Sequence, residues 1–169
     1  MIGEQPVSRI TETIDVDVPV RAAYDQWTQF ESFPEFMEGI DRVVQVDDTT
    51  LDWTATIAGQ VKNWRAEITE QRPDELVAWR STEGAQNDGQ VRFESLGADR
   101  TRIETQLDVE PEGLIEKAGD ALGIVERRVK GDLERFKKFI EARGHETGAW
   151  RGSVDDGRVE AGHATGPRR

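Results

Sequence analysis

Two stretches of alternating apolar and polar residues constrain this fold more than any other feature of the sequence. In residues 51–57, Leu, Trp, Ala and Ile alternate with Asp and Thr, and residues 63–69 alternate in the same way. Alternation with period two over this length predicts strands with one buried and one exposed face. Gly59 and Gln60 lie between them with glycine first, which predicts a two-residue hairpin turn at this pair.

The expected register places three tryptophans on one face of the sheet. The first hairpin puts Ala55 opposite Trp64, so that a small residue faces a large one. The next loop, residues 72–75, has Pro and Asp where turns favour them and pairs Ile68 with Trp79. The tryptophans that share the apolar face are Trp53, Trp64 and Trp79.

The remaining segments complete an α+β architecture. We predict seven antiparallel strands, two short helices after the first strand and one long C-terminal helix. The strands lie at 7–18, 40–46, 51–57, 63–69, near 77–81, 89–95 and 101–109, the short helices at 21–30 and 33–37, and the long helix at about 113–143. Sequential hairpins favour an antiparallel sheet, and the last helix must cover its apolar face.

The long helix carries an apolar stripe with spacings of three and four residues, which is the pattern of a helix with one buried side. Its members are Leu122, Val125, Val129, Leu133, Phe136 and Ile140. Residues 1–143 therefore form one domain. Residues 144–169 are rich in glycine and poor in apolar residues, so we predict a flexible C-terminal tail there.

Composition excludes several classes of function. The chain lacks cysteine, and a net charge of −12 disfavours nucleic-acid binding. No apolar stretch approaches the length of a membrane span and no signal peptide is evident, so we expect a cytoplasmic protein. The two histidines, His145 and His163, lie in the predicted tail, and no glycine-rich phosphate loop is present. We therefore expect no metal and no cofactor; the sequence makes no prediction of the oligomeric state.

Four segments carry a family resemblance: YDQWTQFESFPEFM, WRAEITEQRPDELVAWRS, GQVRFESLG and VKGDLERFKKFIEARG. In this order the chain resembles the SRPBCC (START/birch-pollen-allergen-like) superfamily, from about residue 7 to 143. Within it the chain is most similar to the bacterial polyketide cyclase/dehydrase-like group, which is related to ubiquinone-binding proteins. The resemblance implies a helix-grip fold, with a deep cavity between the sheet and the C-terminal helix that opens near the two short helices.

The inner face of the predicted sheet is apolar with a few hydroxyl groups, as small-molecule pockets commonly are. Binding or carriage of an apolar or aromatic small molecule, such as a lipid, quinone or polyketide-like compound, is the leading hypothesis. An alternative is that the tryptophans only fill a core under the helix, although Ala55 and Ala66 would leave space beside their rings. The predicted ligand-binding residues are Phe33, Phe36, Met37, Trp53, Ala55, Trp64, Ala66, Trp79, Phe93, Ile103, Val125 and Val129, and no catalytic residue is assigned.

Two alternatives remain open. The first is a polyketide aromatase/cyclase or dehydratase that acts by proton transfer. It requires a titratable group facing the cavity, and Glu70, Lys62 and Tyr24 are the candidates. The second is a protein-interaction module, which requires a contiguous exposed apolar patch.

Overall fold

The alternating segments form strands of one antiparallel sheet in a computed structural model that describes residues 8–57, 59–84, 86–110 and 121–160. The first half of the chain contains β1 (Ser8–Val16), α1 (Val20–Trp27), a 3-10 helix (Phe30–Glu35), β2 (Ile40–Gln45), β3 (Thr50–Ile57) and β4 (Gln60–Arg72). The second half contains β5 (Leu76–Gly84), β6 (Asn87–Gly97), β7 (Arg100–Val109), α2 (Ala121–Arg143), β8 (Ser153–Asp155) and β9 (Arg158–Glu160).

The sheet confirms the predicted fold class. The first seven strands follow the order β1-β7-β6-β5-β4-β3-β2 and curve around α2, as in the helix-grip fold. The two short helices after β1 are also present, although the second is a 3-10 helix. Within the described residues no helix is both long and apolar enough to cross a bilayer.

The predicted register of the first hairpin is wrong by two residues. Ile57 pairs with Gln60, so the connection is one residue earlier than predicted, and Trp53 lies opposite Trp64. Gly59 has φ of 81°, a left-handed conformation that glycine adopts without steric cost, and therefore ends this turn. Because the shift is even, each side chain stays on its predicted face.

The predicted register of the second hairpin is confirmed, and the hairpin of β6 and β7 is equally regular around Phe93. Ile68 pairs with Trp79, and Phe93 pairs with Ile103. The pairing of β4 with β5 has a register shift between Ile68 and Glu70. The turn after Arg72 contains Asp74, which has a φ of 65°. Asp tolerates this left-handed conformation better than most residues, which explains its place in the turn.

Helix α2 buries the predicted stripe with one exception. Val125, Val129 and Leu133 are at most 8% exposed, and Phe136 and Ile140 are fully buried. Leu122 is 38% exposed, and Ala121 takes the buried position beside it. The predicted beginning of the helix near residue 113 lies outside the described residues.

Part of the segment predicted as a flexible tail packs against the domain. We call residues 147–155 the C-terminal strap. Trp150 and Val154 of the strap are buried, and Val154 in β8 pairs with Gln71 where β4 extends beyond β3. These apolar residues, together with the free edge of β4, explain the docking. The tail prediction for residues 161–169 lies outside the described residues.

Candidate ligand-binding cavity

A cavity of about 150 Å³ lies between the inner face of the sheet and α2. The short helices and the segment before β2 close one side of it. Its apolar lining consists of Trp27, Phe30, Phe33, Met37, Ile40, Leu51, Trp53, Ile57, Trp64, Ile68, Val77, Trp79, Val91, Leu107, Val109, Val125, Val129 and Leu133. Gly39 and five polar side chains complete the wall: Glu38, Asn87, Thr105, Arg128 and Asp132.

Aromatic rings form the β3–β4 side of the cavity. The indoles of Trp53 and Trp64 stack with centroids 5.6 Å apart and an interplanar angle of 9°. This contact follows from the observed register, which places the two residues directly opposite each other. Phe33 of the 3-10 helix packs on Trp53 at 5.8 Å. The cavity thus has aromatic rings on this side, which a planar aromatic ligand could contact.

The structure brings most of the predicted site residues to the cavity. Phe33, Met37, Trp53, Trp64, Trp79, Val125 and Val129 line it. The other five are buried but are not among the lining residues: Phe36, Ala55, Ala66, Phe93 and Ile103. Phe36 instead packs on Phe136, and Phe93 packs on Tyr24, so both rings belong to the packed core beside the cavity. The role of the seven lining residues as ligand contacts stays a prediction.

Several lining residues on the strands were not predicted as part of the site. Leu51, Val77, Val91, Leu107 and Val109 lie on the same face as the predicted residues. The period-two pattern contained this signal, since each of them has the parity of a residue already placed on the inner face. Trp27 of α1 is 5% exposed and also lines the cavity.

The polar end of the cavity, formed by Glu38, Gly39, Arg128 and Asp132, was not predicted. Asp132 accepts hydrogen bonds from Arg135 Nη2 at 2.5 Å and from the Glu38 backbone N–H at 3.2 Å. Arg128 Nη1 donates to the Glu38 carbonyl at 2.7 Å. Burial raises the pKa of Asp132 to about 6 despite these partners, so this carboxyl titrates near neutral pH. In the sequence Arg128 and Asp132 look like ordinary polar positions of a helix, and Glu38 and Gly39 look like part of a loop.

Two polar atoms among the lining residues are buried without a hydrogen-bond partner in the described part of the chain. They are the hydroxyl of Thr105 and the indole N–H of Trp53. By contrast, the indole N–H of Trp79 donates to Asn87 Oδ1 at 3.4 Å. The cavity therefore contains two unused hydrogen-bonding groups in an otherwise apolar wall.

None of the three residues proposed for proton transfer lines the cavity. Glu70 forms an ion pair with Arg72 at 3.4 Å and is half exposed, and Lys62 is partly exposed on β4. Tyr24 is fully buried beneath α1 against Phe93, and burial raises its pKa. Among the described residues that line the cavity, Asp132 is the one whose pKa is raised by burial.

The exposed hydrophobic residues in the described part of the chain do not support a protein-interaction module. The large hydrophobic side chains that are exposed in the described residues belong to different elements: Val46 after β2, Val61 in β4, Leu96 in β6, Leu122 in α2 and Val159 in β9. No group of three or more His, Cys, Asp or Glu residues suited to a metal ion occurs in that same part of the chain.

Comparison with known proteins places this architecture in a family. Residues 16–138 match the family model described as polyketide cyclase / dehydrase and lipid transport. An uncharacterized 17.2 kDa protein from the melC2–rnhH intergenic region of Streptomyces lincolnensis is 53% identical over 149 residues, which cover 88% of this chain and 99% of that protein.

Solved structures agree on the fold. An aromatase/cyclase, Zhui, from Streptomyces sp. R1128 superimposes with a TM-score of 0.68 at 18% identity, covering 86% of this chain and 100% of the other. A START superfamily protein from Mycobacterium smegmatis gives a TM-score of 0.63 at 18% identity, over 80% and 95% of the two chains. The family match and the helix-grip fold confirm the SRPBCC resemblance. The chain belongs to the polyketide cyclase/dehydrase and lipid transport family.

Proposed function

We propose that this protein binds and carries an apolar, aromatic small molecule in the cavity between the sheet and α2. The observation that supports the proposal is the composition of the wall. Eighteen of the lining residues have apolar or aromatic side chains, and the charged ones are confined to the polar end. Apolar ligands gain most of their binding free energy from leaving water, and the apolar part of the wall adds no desolvation cost of its own.

The size of the cavity limits the ligand. A cavity of about 150 Å³ holds a single aromatic ring, as an engineered cavity of that size holds benzene. A larger ligand requires side chains to move. Met37 at the side closed by the 3-10 helix is suited to this because its thioether chain is unbranched and flexible. The stacked pair of Trp53 and Trp64 favours a planar ligand over a saturated one.

The proposal is tested by native mass spectrometry of protein purified from its own host, with extraction of any retained molecule. Val129→Phe, which fills the cavity from α2, should abolish retention and leave the melting temperature unchanged or higher, since the new ring occupies empty space. Leu122→Phe on the exposed side of the same helix is the control and should retain the ligand. A large loss of stability in Val129→Phe would instead indicate a solidly packed core and contradict the proposal.

A second candidate is a cyclase or dehydratase that acts on a polyketone by proton transfer. Asp132 supports it, because this lining carboxyl has a pKa near 6 and so could hold or release a proton near neutral pH. Asp132→Asn should then lower turnover of a polyketone by a factor of about 100 or more while ligand affinity is kept. Glu134→Gln, an exposed change two residues away, is the control. Turnover by Asp132→Asn at the rate of the unmodified protein would exclude this role.

A further inference from the structure

A short segment between the 3-10 helix and β2 lies between the cavity and solvent. Met37, Glu38 and Gly39 form this segment, which we call the gate, and all three line the cavity. Glu38 is exposed, and Met37 and Gly39 are partly exposed, so a single stretch of backbone has the cavity on one side and water on the other. The gate follows the 3-10 helix, which ends at Glu35, and precedes β2, which begins at Ile40. It can therefore move without breaking a helix or a strand.

Three side chains of α2 hold the backbone of the gate and of the residue before it. Arg128 Nη1 donates to the carbonyl of Glu38 at 2.7 Å, and Asp132 Oδ1 accepts a hydrogen bond from the N–H of the same residue at 3.2 Å. Arg135 Nε donates to the carbonyl of Phe36 at 3.0 Å. The three helix residues are spaced by four and three positions and therefore lie on one side of α2. The guanidinium groups make two of these bonds stronger than bonds between neutral groups.

The two ends of the gate differ in mobility. Phe36, just before it, is buried and packs on Phe136 with ring centroids 5.1 Å apart. At the other end Gly39 has a φ of 86°, and its carbonyl accepts a hydrogen bond from the Thr56 N–H at 2.7 Å. A Cβ at residue 39 would overlap the guanidinium of Arg128 and lie 2.9 Å from the Thr56 carbonyl oxygen. Glycine at this position therefore lets Arg128 reach across the gate.

Helix α2 does not depend on these bonds for its position. Val129, Leu133 and Phe136 are buried beneath it and hold it on the sheet. The bonds from Arg128 and Asp132 to the gate lie at the surface instead. Breaking them exposes little apolar area, so the gate can open while α2 and the sheet keep their packing.

We propose that the gate is the route by which the ligand enters and leaves the cavity, and that Arg128, Asp132 and Arg135 control the rate of this exchange by holding the gate closed. This inference rests on the proposed binding function and adds to it how the site opens. Because the three side chains bind backbone atoms of the protein rather than the ligand, they should slow entry and exit by similar factors. Their loss should change the rates much more than the affinity.

Stopped-flow tryptophan fluorescence with 4-ethylphenol, whose single aromatic ring suits the cavity volume, measures both rates. Arg128→Met removes the hydrogen bond to Glu38 and keeps an apolar side chain of similar length. It should raise the association and dissociation rates about 5- to 10-fold each, the effect of one hydrogen bond to a charged group, and change Kd less than about 2-fold. Lys130→Met removes a charge from the exposed side of the same helix and should leave both rates unchanged.

Two glycines provide a second matched pair. Gly39→Ala places a Cβ against Arg128 and should also raise both rates. Gly59 has nearly the same φ, 81°, but no atom of the described residues outside its own chain neighbours lies within 4 Å of a Cβ there. Gly59→Ala thus introduces the same backbone strain away from the gate and should leave both rates unchanged.

Hydrogen exchange of the Glu38 amide, followed by NMR in the ligand-free protein, measures opening of the gate without any ligand. This amide donates to Asp132, so its exchange requires that bond to break. Arg128→Met should speed this exchange by about the same 5- to 10-fold.

Unchanged rates in both Arg128→Met and Gly39→Ala would show that the ligand passes elsewhere, which overturns the inference while the binding function stands. A weaker affinity at an unchanged association rate would overturn it too, because Arg128 would then act on the bound ligand. If neither 4-ethylphenol nor toluene binds the unmodified protein, the binding function is wrong and the inference fails with it.

Discussion

Arg151 shows how one residue of the strap ties distant parts of the chain together. Its guanidinium lies 2.5 Å from Asp25 Oδ1 and 2.9 Å from Asp74 Oδ1, and it stands over the Tyr24 ring at 5.7 Å. Asp25 is 1% exposed. Burial raises the pKa of Asp25 to about 6 even with Arg151 beside it. The guanidinium thus compensates a buried carboxylate rather than adding a surface ion pair.

We expect Arg151→Met to lower the free energy of unfolding by about 3 kcal/mol at pH 7.5, because it leaves the Asp25 carboxylate buried without its closest cation. The raised pKa of Asp25 means that the folded state binds its proton more tightly than the unfolded state. The carboxyl therefore favours folding at low pH and loses this contribution as pH rises through about 6. Removal of Arg151 should accordingly cost less at pH 5 than at pH 7.5.

Urea unfolding at the two pH values measures this effect. Arg9→Met is the control, since it removes an exposed pair with Asp108 at 2.8 Å that is worth at most about 1 kcal/mol. Equal effects of the two substitutions at pH 7.5 would mean that Arg151 has no special role in the fold.

At the scale of elements, the strap fixes α1 against the end of β4. The Thr147 backbone N–H donates to Gln26 Oε1 at 2.8 Å, and the Trp150 N–H donates to Thr28 Oγ1 at 3.1 Å. On the other side, β8 pairs with the end of β4. Trp27 at the end of α1 lines the cavity, so the strap stabilises an element that encloses the ligand.

Ending the chain after Gly144 should therefore lower its free energy of unfolding by at least about 3 kcal/mol, because the burial of Trp150 and Val154 is lost together with the Arg151 ion pair. Ligand dissociation should become faster, because α1 would lose its contacts with the strap. A chain ending after Glu160 keeps every described strap contact and is the control. Thermal unfolding compares the stability of the two chains, and stopped-flow release of 4-ethylphenol, a probe with a single aromatic ring, compares their rates of ligand dissociation. Identical melting temperatures would show that the strap does not contribute to stability.

At the scale of the whole molecule, the outer face of the sheet is polar and its inner face is apolar. The outer face carries cross-strand charge pairs, which include Arg65–Asp52, Arg80–Glu67 and Arg102–Asp15. These exposed pairs add little stability. Because the charged side chains occupy the outer face, the inner face is the apolar surface that α2 covers. The incomplete filling of the space beneath α2 creates the cavity.

The class of fold and the face on which each strand residue lies could be predicted from the amino-acid pattern alone. Parity along a strand is a local property, so Trp53, Trp64 and Trp79 were assigned correctly although the first hairpin was displaced by two residues. The register of the first hairpin could not be predicted in this way. It depends on the geometry of the turn, and Gly59 could be either the first or the second residue of that turn. Only the structure therefore showed that Trp53 stacks on Trp64.

The polar details were decided by tertiary structure alone. Arg151 and Asp25 are 126 residues apart, and Asp132 and Glu38 are 94 apart, so no local pattern connects them. Thr105 had the inner-face parity in the sequence, but so did Thr101. Whether a buried hydroxyl finds a carbonyl or faces a cavity depends on which segment packs over it, and this is set only when the sheet curves around α2.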